Sequence, residues 1–377
     1  MLIDQTIKDL VEKIERESVR GEGLDALFRE LIVHLRANYE KDQAKERYAG
    51  YRNAEGVVEA YPLDEKGFAR AFDPLIDEDS FFETWQKFGI VVGKGVISPT
   101  LQKDAVKRTH ELMLAISDGM CDLSKPETWK NAPLDNAGTS ILSRGFFEVY
   151  HDYILAELRQ SVRLYVHHVL LWGRTDLWTS FDRLGVKLPE HKEAKGLPLH
   201  VDQNPNVHAG FKTTQGVLAL ADCPVERGTY VGVPGSKKYF PQYEHMAEGE
   251  GEYVELRQGD NVTAVLEKNK QAFPLHAGDI VSWDSRTAHA NSENISDETR
   301  FIAYISAGPA REDVPELVDA REESLRSAVS KNVREALMHA SKPPRYTNLE
   351  KLRAVRRPEE LTLLGKLLYG KESYGTI

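Results

Sequence analysis

Two candidate metal ligands, His200 and Asp202, lie two residues apart in the segment Leu197-Pro-Leu-His-Val-Asp-Gln-Asn-Pro-Asn206. In an extended strand, residues two apart point to the same face and lie roughly 6.6 Å apart along the backbone. An imidazole and a carboxylate on one face can bind a single ion. We therefore predict that this stretch is a β-strand that carries two metal ligands.

A third ligand is predicted far downstream, at the end of Val281-Ser-Trp-Asp-Ser-Arg-Thr-Ala-His289. First and late strands of a jelly roll can be neighbours, so His289 can join His200 and Asp202. Two histidines and one carboxylate on one face, with open positions opposite, are typical of non-haem Fe(II) oxygenases. The ligand types alone also suit Mn(II) or Zn(II). The open positions would accept a bidentate 2-oxo acid and O2.

Arg300 opens an alternating strand, Arg-Phe-Ile-Ala-Tyr-Ile-Ser306, in which it shares one face with Tyr304. A guanidinium inside a β-core is costly unless a carboxylate pairs with it. No acidic residue in this strand supplies that partner, whereas the distal carboxylate of 2-oxoglutarate would. Arg300 therefore favours an iron oxygenase over a zinc protein. The alternative is an outward-facing arginine in a surface ion pair.

Two polar residues are further candidates for contact with the co-substrate. Gln215 interrupts an apolar strand and is predicted to face either the co-substrate or the substrate. Asn291 follows His289 by two residues and is predicted to donate to a co-substrate oxygen or to a turn.

Composition narrows the class of protein. The chain has 377 residues, 41% of them hydrophobic and 29% charged, and a formal net charge of −10. At this size roughly 75% of the unfolded chain's surface can be buried. Interspersed charges of both signs argue against a nucleic-acid binder, which needs a basic stripe. Two cysteines exclude a disulfide scaffold, and no apolar run reaches membrane-spanning length, so we expect a soluble, cytoplasmic protein.

Hydrophobic periodicity predicts three regions. Residues 1–76 form amphipathic helices and a covering loop, residues 77–310 hold the β-rich core, and residues 311–377 return to helix and pack on that core. We predict a long helix from Val149 to Leu171. The strands predicted from Gly196 onwards are Leu199–Val201, Thr213–Leu220, Thr229–Val233, Tyr253–Leu256, Val262–Leu266, Asp279–Trp283 and Arg300–Ser306. Many short strands between turns indicate a jelly roll, that is, a double-stranded β-helix.

With these residues assembled, the sequence resembles the phytanoyl-CoA hydroxylase-like branch of the Fe(II)/2-oxoglutarate dioxygenases. The resemblance runs from Phe81 to Ala307 and includes Phe88-Gly-Ile-Val-Val-Gly-Lys-Gly-Val-Ile-Ser-Pro99 and Val233-Pro-Gly-Ser236. It implies that His200, Asp202 and His289 bind iron and that Arg300 anchors 2-oxoglutarate. The sequence departs from the family at two positions. Lys237 stands where the family commonly has histidine, and Leu218 lies near a position where the family commonly has an aromatic residue. Both departures affect predictions about co-substrate packing and the substrate rather than the metal.

The resemblance implies a dioxygenase that uses Fe(II), 2-oxoglutarate and O2, releases succinate and CO2, and most simply hydroxylates a small organic substrate. An aspartate at position 202 argues against a halogenase, in which a small residue leaves room for chloride. Desaturation, epoxidation or rearrangement at the same centre is the alternative within this class. A jelly-roll binding protein, or a cupin-like zinc or manganese enzyme that does not use O2, is the alternative outside it. The terminal helices could also form a homodimer.

Overall fold

A computed structural model describes residues 1–17, 19–41, 46–48, 54–142, 145–189, 197–331, 333–338 and 349–377. Residues 49–53 of the predicted covering loop lie outside the described residues. The β core consists of two main sheets. In each sheet, almost all neighbouring strands are antiparallel. It has the predicted jelly-roll class with flanking helices, although the sheets do not close into a barrel.

The larger sheet has six strands in the order β1-β2-β10-β6-β12-β4. Its strands are β1 (Ala71–Phe72), β2 (Ile90–Gly93), β4 (Leu184–Lys187), β6 (Thr214–Ala219), β10 (Ile280–Asp284) and β12 (Arg300–Tyr304). Only β1 and β2 pair in parallel. The central strands β10 and β6 are almost completely buried, although they include polar residues such as Ser282 and Gln215.

The smaller sheet has five strands in the order β8-β5-β11-β7-β9. Its strands are β5 (His200–Val201), β7 (Tyr230–Gly232), β8 (Val254–Glu255), β9 (Gln271–Phe273) and β11 (His289–Asn291). A separate pair joins β3 (Leu177–Thr179) to β13 (Ala307–Pro309).

In the described residues, α-helices precede the strands, lie between them and follow them along the chain. They are α1 (Gln5–Arg16), α2 (Glu22–Tyr39), α3 (Glu78–Phe88), α4 (Pro99–Ile116), α5 (Tyr153–Arg159), α6 (Val162–Trp172), α7 (Asn261–Asn269), α8 (Pro315–Ser327), α9 (Leu349–Val355) and α10 (Leu363–Tyr369). The apolar faces of α1, α2 and α10 belong to one hydrophobic core with strands of the larger sheet. Much of the apolar surface of these three helices is therefore buried within the chain itself. None of the helices in the described ranges is long and apolar enough to cross a membrane.

Two predicted elements were wrong. Residues Val262–Leu266 are not a strand but lie in α7, because the Asp260 carboxylate caps that helix by accepting hydrogen bonds from the Val262 and Thr263 amides. The predicted helix from Val149 to Leu171 is interrupted between α5 and α6, near Gln160 and Ser161. Short β-branched runs do not distinguish strand from helix, and capping decides here.

Candidate active site

The three predicted metal ligands meet at one point of the smaller sheet. His200 and His289 are directly opposite each other in the antiparallel pair β5–β11, and their ring centroids lie 4.3 Å apart. Asp202 follows β5, and its Oδ2 lies 3.5 Å from His289 Nε2. One donor atom from each of the three residues lies within 4.8 Å of the others.

The ring orientation of each histidine suits a metal ligand. His200 Nδ1 lies 2.8 Å from the carbonyl oxygen of Pro198, and His289 Nδ1 lies 3.0 Å from that of Thr287. Because a carbonyl oxygen only accepts, each Nδ1 carries the proton and each Nε2 keeps its lone pair. Burial, and then the neighbouring His289 ring, lower the pKa of His200 to about 4. The imidazole is therefore neutral at pH 7, which is the form that binds metals.

The donor set fits a divalent cation. Metal–ligand bonds of about 2.1 Å at right angles place neighbouring donor atoms about 3 Å apart, close to the 3.5 Å between His289 and Asp202. Three ligands on one side leave the opposite positions to the cavity. Neutral imidazoles with one carboxylate suit Fe(II), Mn(II) or Zn(II).

Gln215 lies beside the triad, and both ends of its amide are used within the protein. Its Nε2 lies 2.7 Å from Asp202 Oδ2, and its Oε1 accepts a hydrogen bond of 3.0 Å from Trp283 Nε1. The structure places Gln215 in the cavity wall, with Asp202 and Trp283 as its hydrogen-bond partners. Contact with the co-substrate stays a prediction.

Arg300 lines the same cavity and is 4% exposed. Its Nε is buried with no hydrogen-bond acceptor, and no carboxylate of the described residues lies within ion-pair distance of it. Lys187 is its direct partner across β12 and β4 and donates to the Ser292 carbonyl at 2.7 Å. Burial, and then Arg300, lower the pKa of Lys187 to about 8. Two cationic side chains therefore share this end of the β core.

The cavity has a volume of about 230 Å³ and is lined by residues of both main sheets. Asn291 lines it two residues beyond His289, on the same face of β11. Another part of the wall contains Tyr304 and Arg183, whose guanidinium carbon lies 4.4 Å from the Phe146 ring centroid. A larger cleft of about 1040 Å³ beside α1 and α6 carries mixed charges but none of the triad.

Three residues at or near this site were not predicted: Arg183 and Trp283, which line the cavity, and Lys187, which lies opposite Arg300 in the sheet. The only available signal for Lys187 was a lysine at the end of Leu184-Gly-Val-Lys187, an otherwise apolar segment. The residue that lies opposite Arg300 is determined by the pairing and register of the strands. A single sequence does not contain that information.

The chain is similar to known proteins in both sequence and fold. The family model described as phytanoyl-CoA dioxygenase (PhyH) matches residues 85–302. Ava biosynthesis cluster protein O from Aspergillus versicolor is 24% identical over 263 residues, which cover 64% of this chain and 80% of that protein. The crystal structure of hypothetical protein JW0805 from Escherichia coli is 14% identical, covers 97% of this chain and 95% of that chain, and superposes with a TM-score of 0.58. This last match indicates a shared fold that includes both terminal helical regions.

Proposed function

Because this chain belongs to the phytanoyl-CoA dioxygenase (PhyH) family of iron- and 2-oxoglutarate-dependent enzymes, we propose that its cavity between the two main sheets is the active site. His200, Asp202 and His289 would bind Fe(II) there. The observation that carries this proposal is the convergence of their donor atoms within 4.8 Å, with both Nδ1 protons turned away toward carbonyl oxygens. Fe(II) is favoured over zinc by the family and by Arg300.

Arg300 would bind the distal carboxylate of 2-oxoglutarate. A buried guanidinium without a carboxylate partner among the described residues is costly, and a bidentate carboxylate offsets that cost. Lys187, opposite Arg300, adds positive charge at the same end. Asn291 would donate to a co-substrate oxygen from the same face as His289.

When bound, Fe(II) and 2-oxoglutarate would supply the oxidising chemistry, in which O2 oxidises a substrate C–H bond and succinate and CO2 are released. The residues of this chain bind and orient the reactants. Arg300 would fix one end of the co-substrate. This chemistry does not require a side chain that acts as general acid or base, so we assign none.

The substrate is a small organic molecule, and we propose that it is hydroxylated. It would enter past Leu197, which lines the cavity and is 40% exposed, and past Tyr253, whose ring centroid lies 5.0 Å from that of His200. These two side chains favour an apolar portion of the substrate at the mouth. Desaturation, epoxidation or rearrangement needs only a different placement of the substrate over the same centre. A cytoplasmic location and a homodimer remain predictions; sedimentation of the purified protein tests the dimer.

The test is succinate formation from 2-oxoglutarate in air with added Fe(II), comparing wild type with His200→Ala and Arg300→Ala. We expect slow, iron-dependent succinate formation by the wild type and none by either variant. Calorimetry with Mn(II)-loaded protein provides a second readout, because 2-oxoglutarate should bind to it without turnover. Absence of both succinate and 2-oxoglutarate binding would refute the proposal and favour a jelly-roll binding protein.

A further inference from the structure

We propose that Gln215 is a positioning residue: held by Trp283, it fixes the orientation of the Asp202 carboxylate toward the metal. This inference rests on the proposed function, because it concerns a ligand of the same iron site. It goes further by assigning to Gln215 a role that acts through Asp202.

Donor and acceptor chemistry fixes the direction of this hydrogen-bond chain. An indole Nε1 can only donate, so the atom of Gln215 that faces Trp283 must be the amide oxygen. The amide nitrogen then faces Asp202 Oδ2 and donates to it at 2.7 Å. Asp202 Oδ2 accepts this bond, so the chain from Trp283 through Gln215 ends on a carboxyl oxygen of the proposed metal ligand.

The framework around Trp283 is rigid. Gln215 and Trp283 are direct partners in the antiparallel pair β6–β10. The indole is 4% exposed, and its ring centroid lies 4.3 Å from that of Tyr230 and 5.1 Å from that of His289. A side chain packed in this way has few alternative rotamers. Trp283 therefore holds the Gln215 amide in one orientation.

The bond from Gln215 also crosses between the two main sheets. Gln215 lies on β6 of the larger sheet, whereas Asp202 follows β5 of the smaller one. The carboxylate oxygen that receives it is the same Oδ2 that lies 3.5 Å from His289 Nε2. The bond from Gln215 therefore restrains rotation of the carboxylate about its Cβ–Cγ bond, on the oxygen that faces His289. Residues that orient metal ligands in this way typically contribute about 10- to 100-fold in metal affinity.

The experiment measures Mn(II) affinity of the full chain by electron paramagnetic resonance, with Gln215→Met and Trp283→Phe as test variants. Methionine has nearly the volume of glutamine but cannot donate to Asp202. Gln271→Met is the matched control, because Gln271 also lies on a strand and uses both amide atoms, in its case with the backbone of Tyr61. We expect affinity to fall about 10- to 100-fold in Gln215→Met, severalfold in Trp283→Phe, and not in Gln271→Met.

A spectroscopic readout separates positioning from general loss of structure. Co(II) bound to the wild type without O2 should give a visible spectrum that changes in Gln215→Met, because the ligand field of Asp202 changes, and that is unaltered in Gln271→Met. Wild-type affinity and an unchanged spectrum in a folded Gln215→Met protein would overturn the inference. If that variant does not fold, Trp283→Phe decides by the same two measurements. Failure of the wild type itself to bind Mn(II) or Co(II) would instead refute the proposed function.

Discussion

His200 and His289 are direct partners across the antiparallel strands β5 and β11, with ring centroids 4.3 Å apart. Sheet register alone therefore brings together two ligands that are distant in the sequence. A shift of one residue would turn one imidazole to the opposite face of the sheet. The metal site thus depends on the pairing of two short strands, each of which is buried at the ligand position.

Removing one of these imidazoles should abolish tight metal binding. We expect His200→Ala to weaken Mn(II) binding by at least about 100-fold, more than a residue that only orients a ligand. Titration of metal-free protein with Mn(II) measures this. His245→Ala is the control, because His245 is exposed and pairs with Asp260 away from the triad. Equal loss in both variants would contradict the assignment of His200 as a ligand.

Arg300→Met should weaken 2-oxoglutarate binding while leaving metal binding intact. Methionine retains much of the side-chain length but not the charge, and truncating one partner of a buried charge pair costs about 2 kcal/mol or more, or about 30-fold in Kd. Calorimetry with Mn(II)-loaded protein measures it. We expect Arg300→Lys to restore part of the affinity, because it keeps the charge without the bidentate geometry.

Lys187→Met tests whether the second cation also contributes to co-substrate binding. We expect a smaller loss of 2-oxoglutarate affinity than in Arg300→Met, because Lys187 already donates to the Ser292 carbonyl. The same calorimetric titration applies. A loss equal to that of Arg300→Met would mean that both side chains bind the carboxylate directly. Unchanged affinity would limit Lys187 to a structural role.

The sequence predicted the fold class, confirmed by the family match, and the residues that the structure brings together as a triad. His289 was added from the strand order expected of a jelly roll and from the family resemblance. Alternation along one strand placed His200 with Asp202, and that pattern does not depend on knowing which strands are neighbours. The environment of Gln215 does depend on it, because Trp283 and Asp202 reach that residue only through the tertiary pairing of β6 with β10 and the facing of the two sheets.

Local capping explains the principal error in secondary structure. Val262, Thr263 and Val265 have high strand propensity, but the Asp260 carboxylate accepts hydrogen bonds from two amides and starts a helix. Propensity differences of this kind are small, and one capping interaction contributes about 1 kcal/mol. At the break between α5 and α6, the side-chain oxygen of Gln160 accepts hydrogen bonds from the amide and the hydroxyl of Thr362. A contact with the C-terminal region is not readable from the local sequence.

Arg321 should be essential for the attachment of the C-terminal region. Its buried guanidinium donates to the backbone carbonyls of Thr179, Ala336, Leu368 and Tyr369, and its central carbon lies 3.8 Å from the Phe181 ring centroid. Arg321→Met leaves these carbonyls without their donor, so we expect a loss of about 3 kcal/mol or more in the free energy of unfolding. Urea denaturation measures it. Arg326→Met, whose side chain is 81% exposed, should change stability little; a similar small change in Arg321→Met would contradict this role.

Acid should destabilise the folded protein through its buried histidines, and His168 tests this most directly. Burial lowers the pKa of His168 to about 3, and neither ring nitrogen has a hydrogen-bond partner among the described residues. The unfolded chain binds a proton at this ring below about pH 6.5 whereas the folded chain does not, so stability falls as pH decreases from about 6.5 toward 3. One such histidine contributes a slope of about 1.4 kcal/mol per pH unit over most of this range.

Replacing that ring by an apolar one should therefore flatten the pH dependence. In metal-free His168→Phe, we expect stability at pH 7 close to that of the wild type, and a dependence between pH 6 and pH 4.5 that is weaker by about 1.4 kcal/mol per pH unit. Urea denaturation at a series of pH values measures both quantities. His34→Phe is the control, because His34 has a side chain 43% exposed and should leave the slope unchanged. A wild-type slope in His168→Phe would mean that the folded protein accommodates a protonated His168, and that burial of this ring does not contribute to acid sensitivity.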